Sequence, residues 1–326
     1  MGSRKIVDKN LYEKEVSKQN KILAKDFLIE KKSQDMSHGT IRQYSYDIRI
    51  INYLVYQHFE NKRLIELTRK DIRNLSMMFQ EMGMSNSRVN GIMSCLRSCL
   101  EYATDDDDYE YEFNVGSKVK GLKKVPVKEI TFLSEEQIHW LRDQLLARNE
   151  IIKALYLMLS YISAARKNEV HQVKKEGLTG RYFSNVVRGK GNKPFRLYYT
   201  KEVQDLIKQY LEIRGEDDLP ELFVRVYKST GERRAYSHDT FGDWCEYFSK
   251  LLYMKEGRYI HINPHCLRHS RLDILNHVYG IPIEKLRTLA NHESIETTAG
   301  YLAKRDEDDI AFIFGMKPED FKQIGA

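Results

Sequence analysis

Hydrophobic positions recur every three or four residues along most of the chain, which predicts a mainly helical protein. In residues 18–34, Ile22, Leu23, Phe27 and Leu28 share a helical spacing, and Ser37-His38-Gly39 breaks the run. Residues 40–59 place Ile41, Tyr44, Ile48, Ile51, Val55 and Phe59 on one face and predict a second helix. Thr68 reads as an N-cap with Asp71 in the first turn of a third helix, which runs to about Met82 and ends at Gly83. A fourth, from Ser87 to Tyr102, carries Val89, Ile92, Met93, Leu96 and Leu100. Four helices of this length with short links predict a bundle over residues 18–115, preceded by an extension over 1–17.

The pattern then changes. Residues 105–112, DDDDYEYE, read as a solvated acidic loop. Residues 116–128 hold Lys118, Lys120, Lys123, Lys124 and Lys128, two glycines and a proline, with no acid and no helical period. They read as an extended basic linker between domains. A linker needs no lysines to link, so the run suggests contact with phosphates.

A second domain spans 129–326. Ser134 with Gln137 forms a capping-box pattern, and residues 152–162 are apolar on nearly every side, as in a buried helix. After the polar turn 163–169, two β-rich runs, 181–188 and 195–199, flank Gly189-Lys190-Gly191-Asn192-Lys193-Pro194, which reads as a hairpin connection. From about residue 202 onward the chain reads as mainly helical.

Composition adds exclusions. The chain has 326 residues, 41% hydrophobic and 31% charged, enough apolar content for real cores and enough length for two domains. No run of about 18 apolar residues could span a membrane, and the first ten residues lack the apolar stretch of a secretory signal. Four cysteines argue against a disulfide scaffold and fit a reducing cytoplasm. The net charge of +6 permits nucleic acid without requiring it.

The candidate chemistry lies in a joint pattern. Arg166-x-x-Glu169 follows the apolar helix, and Lys190 lies in the hairpin connection. Pro264-His265-Cys266-Leu267-Arg268-His269-Ser270 follows, and last comes the run from Ala290 to Tyr301, in which eight residues separate His292 from Tyr301. Singly each has a bland reading: Arg166 as a helix cap paired with Glu169, Lys190 as a solvated hairpin tip, His265 and Arg268 as a surface pair. In this order and spacing they resemble the catalytic domain of the tyrosine recombinase (phage integrase) family over roughly residues 130–310. The preceding bundle is similar to that family's core-binding domain.

The resemblance implies a mainly α fold with a small β-sheet: a helical core-binding bundle and a mixed α+β catalytic domain, closing on DNA as a C-shaped clamp. It implies a site-specific DNA recombinase with Tyr301 as nucleophile. A tyrosine hydroxyl can attack phosphorus and conserve the bond as a 3′-phosphotyrosine, so rejoining needs no ATP. Arg166 and Arg268 would hold the non-bridging oxygens, since a guanidinium fork matches phosphate geometry and stays charged. Lys190 would protonate the departing 5′ oxygen, His265 would act as acid and base, and His292 would occupy the second, hydrogen-bonding position. Glu169 would support the site. No metal or nucleotide cofactor is implied.

Three departures from the family pattern stand out. Asn291 replaces the usual glycine before the second histidine, and Asn tolerates a left-handed backbone, so the turn is expected to survive. Ser163-Ala164 stands where Thr-Gly is common; because Ala carries a Cβ, a somewhat different turn is expected there. Lys193 competes with Lys190, but the Gly-Lys-Gly context favours Lys190. The rival reading of the histidines is a metal site, with His265 and His269 at i, i+4 beside Cys266; Arg268 would then set a fixed cation against the metal. Cys95 and Cys99 are also i, i+4, and read as buried thiols.

For DNA recognition the candidates are Arg42, Arg49, Arg88, Asn90 and Arg97 on the second and fourth helices; a solvated helix face accounts for each equally well. Lys118, Lys120, Lys123 and Lys124 would touch phosphate only. The implied partners are double-stranded DNA with short inverted-repeat core sites, a homo-tetramer in the synaptic complex from a protomer that is monomeric in solution, and an accessory DNA-bending or directionality protein. With a short extension before the first helix, no arm-site-binding domain is expected. The 25 residues after Tyr301 carry Ile310, Phe312, Ile313 and Phe314, which would pack on their own domain or on a neighbouring protomer. A type IB topoisomerase and a DNA-binding regulator with a decayed site are the alternatives. The expected location is the cytoplasm, on the nucleoid.

Overall fold

The structure is a computed structural model and describes residues 6–123, 130–178, 180–227, 229–292, 294–300 and 302. Lys124, Lys128, Tyr301 and the C-terminal apolar cluster lie outside the described residues. The chain divides into two compact units, Met1–Lys128 and Glu129–Ala326.

The first unit is a helical bundle: α1 (Lys9–Glu15), α2 (Lys18–Ser33), α3 (His38–His58), α4 (Arg69–Glu81) and α5 (Asn86–Asp105). Each begins at a side chain that accepts from the first-turn N–H groups: Asp8, Ser17, Ser37, Thr68 and Ser85 in turn. Such caps contribute about 1 kcal/mol each. Thr68 and Asp71 form a full capping box, as their spacing predicts. Phe27, Ile51, Leu75, Ile92, Cys99 and Leu100 are among the buried core.

The structure adds two details to the expected layout. Residues 9–15, expected as part of an extension, form α1, and Tyr12 and Val16 pack with Tyr53 of α3. Residues 116–123, the described part of the expected basic linker, lie along α5. Asn90 holds Leu122 by both backbone groups at 2.8 Å, and Asn86 donates to the Lys123 carbonyl at 2.8 Å. A Cβ on Gly121 would come 3.0 Å from Asn90 Oδ1. Close approach, rather than flexibility, explains that glycine. In the acidic loop, Tyr109 donates to Asp26 at 2.8 Å, which ties the segment to α2.

The second unit is built around α7 (Ile151–Ile162), buried on almost every side, as its unbroken apolar run predicts. It packs against α6 (Glu135–Ala147), α9 (Lys201–Arg214) and α11 (Pro264–His277). Tyr156 stacks on Phe241 of α10 (Thr240–Glu256) with ring centres 4.4 Å apart. Ser134 and Gln137 form the predicted capping box of α6. β1 (Phe183–Arg188) and β2 (Pro194–Tyr198) make the predicted hairpin, with Val187 opposite Phe195 and Arg188 opposite Pro194. A second hairpin, β3 (Val224–Val226) with β4 (Arg233–Ala235), was not expected, because three-residue strands carry no readable period. Short helices α8 (Lys167–His171), α12 (Ile283–Ala290) and α13 (Ile295–Ala299) complete the unit. Among the described residues no helix is long and apolar enough to cross a membrane.

Candidate active site

Two helix ends build the centre of the site. Helix α7 stops at Ser163, and Ala164 takes a left-handed conformation with φ 50°. The Ala164 N–H reaches the Tyr161 carbonyl and the Ala165 N–H reaches that of Ser160. Helix α12 stops the same way. Asn291 is left-handed (φ 49°, ψ 50°), its N–H reaches Thr288 and that of His292 reaches Arg287. Both are Schellman closures, which satisfy the last carbonyls of a helix. Asn291 thus keeps the turn, as expected. The expectation of a different turn at Ala164 is corrected: the left-handed turn forms despite its Cβ, at a cost of about 1–2 kcal/mol.

Arg268 lies between these two ends. It is 1% exposed, and its Nη1 donates to the Ala164 carbonyl at 2.5 Å. Its Nη2 donates to the Ala290 carbonyl at 2.6 Å and meets His292 Nε2 at 2.5 Å. Burying a cation costs several kcal/mol. Hydrogen bonds to charged groups return about 1.5–3 kcal/mol each, and the negative ends of two helix termini add to them.

A guanidinium has only donors, so His292 Nε2 must accept. The ring proton therefore sits on Nδ1 and is donated to Thr298 Oγ1 at 2.9 Å. His292 is neutral in this arrangement. Burial first, then the charges of Arg268 and Arg166, pull its pKa down to about 3. Thr298, fully buried in α13, is a site residue that the pattern did not single out.

Arg166 caps α8. Its backbone N–H donates to Glu169 Oε2 at 2.6 Å, and its Nη1 donates to Oε1 at 2.9 Å. Glu169 is 1% exposed and also lies 3.9 Å from Arg268 Nη1, so one carboxylate faces two guanidiniums. His265 sits in the first turn of α11, where its backbone N–H donates to the cap Asn263. Partial removal from water, then the charges of Arg268, Arg166 and Lys167, depress its pKa. The imidazole is therefore disposed to be neutral at pH 7.

The hairpin joins the group through Gly189. A Cβ there would meet Phe195 at 3.0 Å, Glu169 Oε1 at 3.3 Å and Asn291 Nδ2 at 3.4 Å. Any side chain there would crowd Phe195, Glu169 and Asn291, and the next residue, Lys190, is exposed at the tip. Arg166, Glu169, His265, Arg268 and His292 are thus brought together, with the base of the Lys190 hairpin against them. Tyr301 lies outside the described residues. Its neighbours Thr298 and Leu302 are bound to the site: Thr298 through His292, and Leu302 by packing with Ala164, Leu272, Leu286 and Ala290.

The metal alternative finds no support in side-chain placement. Cys266 points its thiol at the His261 carbonyl, His269 packs edge-on against Phe132, and among the described residues no three His, Cys, Asp or Glu side chains converge. Cys95 and Cys99 are buried, and burial raises both thiol pKa values.

The DNA-contact candidates of the bundle fall into two groups. Arg88 forks onto Asp47 (Nη1 to Oδ2 3.0 Å), and Asn90 holds Leu122, so both have intramolecular duties. Arg42 and Arg49 lie over the rings of Tyr46 and Tyr12. Arg97 lines a polar cleft between α2 and α5, Lys118 lies over Phe113, and Lys118, Lys120 and Lys123 are exposed.

A helical unit carrying a guanidinium pair around one carboxylate, two histidines and a lysine hairpin suits a phosphodiester. A model of the phage integrase family matches residues 131–308, more than half of the chain, and the chain belongs to that family. It is a tyrosine-type site-specific DNA recombinase. It is similar to the SPbeta prophage-derived recombinase-like protein YomM of Bacillus subtilis, 26% identical over 90% of each chain. The tyrosine recombinase XerC of Treponema denticola is 24% identical over 82% of this chain and 89% of that one. Among solved structures, a lambda integrase dimer bound to a core site superposes with a TM-score of 0.65 at 14% identity, over 87% of this chain and 95% of that one. The Tn1549 transposon integrase with transposon right-end DNA gives 0.61 at 13% identity, over 93% and 99%. These likenesses establish the fold, mostly helical with small antiparallel sheets.

Proposed function

We propose that Tyr301 attacks the scissile phosphodiester, forms a 3′-phosphotyrosyl bond and releases a 5′-hydroxyl strand; the reverse attack rejoins DNA. The Tyr301 oxygen–phosphorus bond forms as the phosphorus–5′ oxygen bond breaks. His265, neutral by its depressed pKa, accepts the tyrosine proton, and Lys190 delivers one to the departing 5′ oxygen. Arg166 and Arg268 offset the charge that builds on the non-bridging oxygens. His292 and Glu169 act as positioning residues: His292 accepts from Arg268, and Glu169 orients Arg166. The observation that carries this reading is the surplus of positive charge in a cluster whose described side chains supply two guanidiniums and one carboxylate.

The bundle serves as the core-binding domain, and Lys118, Lys120, Lys123 and Lys124 follow the phosphate backbone. The partner is double-stranded DNA with short inverted repeats, bound by a tetramer in the synaptic complex. The lambda integrase has been solved as a tetramer on a Holliday junction. The reaction proceeds in the cytoplasm on nucleoid DNA, uses only residues of the chain, and takes its direction from an accessory DNA-bound protein.

Covalent capture tests this. The protein and Tyr301→Phe are incubated with DNA of the source in EDTA, and SDS-resistant adducts are isolated and sequenced. Adducts formed only with Tyr301 and focused on one inverted repeat are expected. Dispersed Tyr301-dependent adducts would point to a topoisomerase, and tight binding with no adduct would overturn the catalytic assignment.

A further inference from the structure

We propose that the β3–β4 ribbon is a second anion-binding surface, which grips the phosphate backbone of DNA beside the site described above. Arg225 stands directly opposite Arg234 in the antiparallel pair. Side chains alternate along a strand, so Val224 is buried while Arg225 faces outward, and Tyr227, two residues on, shares that outer face. The Arg225 guanidinium lies 4.7 Å from the Tyr227 ring centre and that of Arg234 lies 5.7 Å from it.

Like charges directly opposite on a strand pair are destabilising, and a ribbon this short has little stability of its own. The arrangement makes physical sense when an anion bridges the two arginines. Glu232 pairs with Arg234 at 2.7 and 3.0 Å, but both are exposed. Such a pair contributes under about 1 kcal/mol, so a phosphate can displace it. A guanidinium held over a ring face still presents its in-plane N–H donors to an oxyanion.

The inner face makes the ribbon rigid. Arg233 donates to the Glu216 carbonyl at 2.6 Å and pairs with Asp217 at 3.2 Å. Asp217 also holds Arg214 at 2.5 Å and Lys175 at 3.3 Å, so the base of the ribbon is itself rich in cations.

DNA, rather than an acidic protein, is the partner because the ribbon shares an anchor with the active site. The Tyr236 carbonyl, just past β4, accepts from His171 Nε2 at 2.9 Å, and His171 ends the helix that Arg166 caps. At about 3.3 Å per strand residue and about 1.5 Å per helical residue, with the His171 side chain and its hydrogen bond in between, that path separates the backbones of Arg234 and Arg166 by no more than ~25 Å. This is the length of roughly seven phosphates on one strand at about 3.4 Å each. A duplex seated on Arg166 and Arg268 therefore has phosphates at the distance of the ribbon.

The inference rests on the DNA reading, and the test separates the two. Binding of the full chain to a random duplex of about 40 base pairs is measured by fluorescence anisotropy between ~50 and ~200 mM salt. Arg225→Gln/Arg234→Gln should bind on the order of tenfold more weakly at low salt, with a salt slope shallower by about 1.8. Arg225→Lys/Arg234→Lys, which keeps the charge, should restore the slope. Losing the like-charge pair should leave the thermal midpoint unchanged or raise it. If the double variant folds poorly, Arg225→Gln alone should shift the slope by about 0.9. A wild type that binds while the Gln variants match its slope overturns the ribbon alone, as does a Lys variant that fails to restore it. A wild type that binds no duplex and forms no Tyr301-dependent adduct overturns the DNA reading together with the ribbon.

Discussion

Arg88 in the N-terminal bundle and Arg268 in the second unit are both drawn into the protein, yet they are held differently. Arg88 forks onto Asp47, which is 1% exposed and also accepts from Gln43 at 2.8 Å. That pair cancels its own charge and ties α3 to α5. Arg268 is oriented by two backbone carbonyls and a neutral imidazole, with Glu169 shared with Arg166 at 3.9 Å. Neutral acceptors fix a guanidinium in space without cancelling its charge. The partners thus distinguish a cation neutralised within the fold from one whose charge is not cancelled, although both are arginines on helices.

The largest effect should come from breaking the second arrangement. Arg268→Ala should lower the rate of Tyr301 adduct formation by at least ~10³-fold, the range for losing a preorganised donor at a developing oxyanion. Arg268→Lys keeps the charge but cannot reach three acceptors, so it should still lose on the order of 10²-fold. A loss under about tenfold in both would mean that the charge there serves packing alone.

Breaking the first arrangement should cost stability instead. Arg88→Ala strands a buried carboxylate and should destabilise the bundle by about 3 kcal/mol in urea unfolding. Replacing both partners, Arg88→Met with Asp47→Leu, should recover most of that loss. A single-variant loss below ~0.5 kcal/mol would reduce the pair to an ordinary surface contact.

The neutral imidazole sharpens the contrast through pH. The folded-state pKa of His292 is pulled down to about 3, below the ordinary 6.5, so the unfolded chain binds more protons between those values. Its contribution is complete above pH 6.5 and is lost as pH falls towards 3, by up to ~1.4 kcal/mol per unit. Wild type should lose up to ~2 kcal/mol between pH 6.5 and 5, and His292→Asn should lack that component. Parallel pH profiles for the two proteins would contradict the neutral, accepting role.

The smallest effect is expected at Ala164, whose carbonyl holds Arg268. Ala164→Gly relieves a left-handed backbone worth about 1–2 kcal/mol. It also loses a buried methyl, about 0.8 kcal/mol, and frees the unfolded chain by about 0.4–1 kcal/mol. These oppose, so the variant should unfold within ~1 kcal/mol of wild type; a larger change of either sign would mean that the turn itself rearranges.

Much of this was legible in the sequence. Helices α2 to α5 begin within two residues of their predicted starts, because Ser and Thr caps and the 3.6-residue period act within one or two turns. Arg166, His265, Arg268 and His292 stood out only through their resemblance to the family's motif, and the structure brings them close together. Other features left no local trace. Helix α1 is seven residues with one buried side chain, too short to show a period. Arg88 looked like any exposed helix arginine, since Asp47 is 41 positions away.

Helix starts, the buried α7, the hairpin connection and the chemical types in the site are thus properties of short stretches of chain, decided by side-chain period and by hydrogen bonds spanning a few residues. Which cation keeps its charge, which imidazole nitrogen carries the proton, and that Thr298 belongs to the site follow from groups 6 to 104 residues apart. The decisive acceptors at Ala164 and Ala290 are backbone carbonyls, which nearly every residue possesses; only the packing of α7, α11 and α12 selects the two that face Arg268.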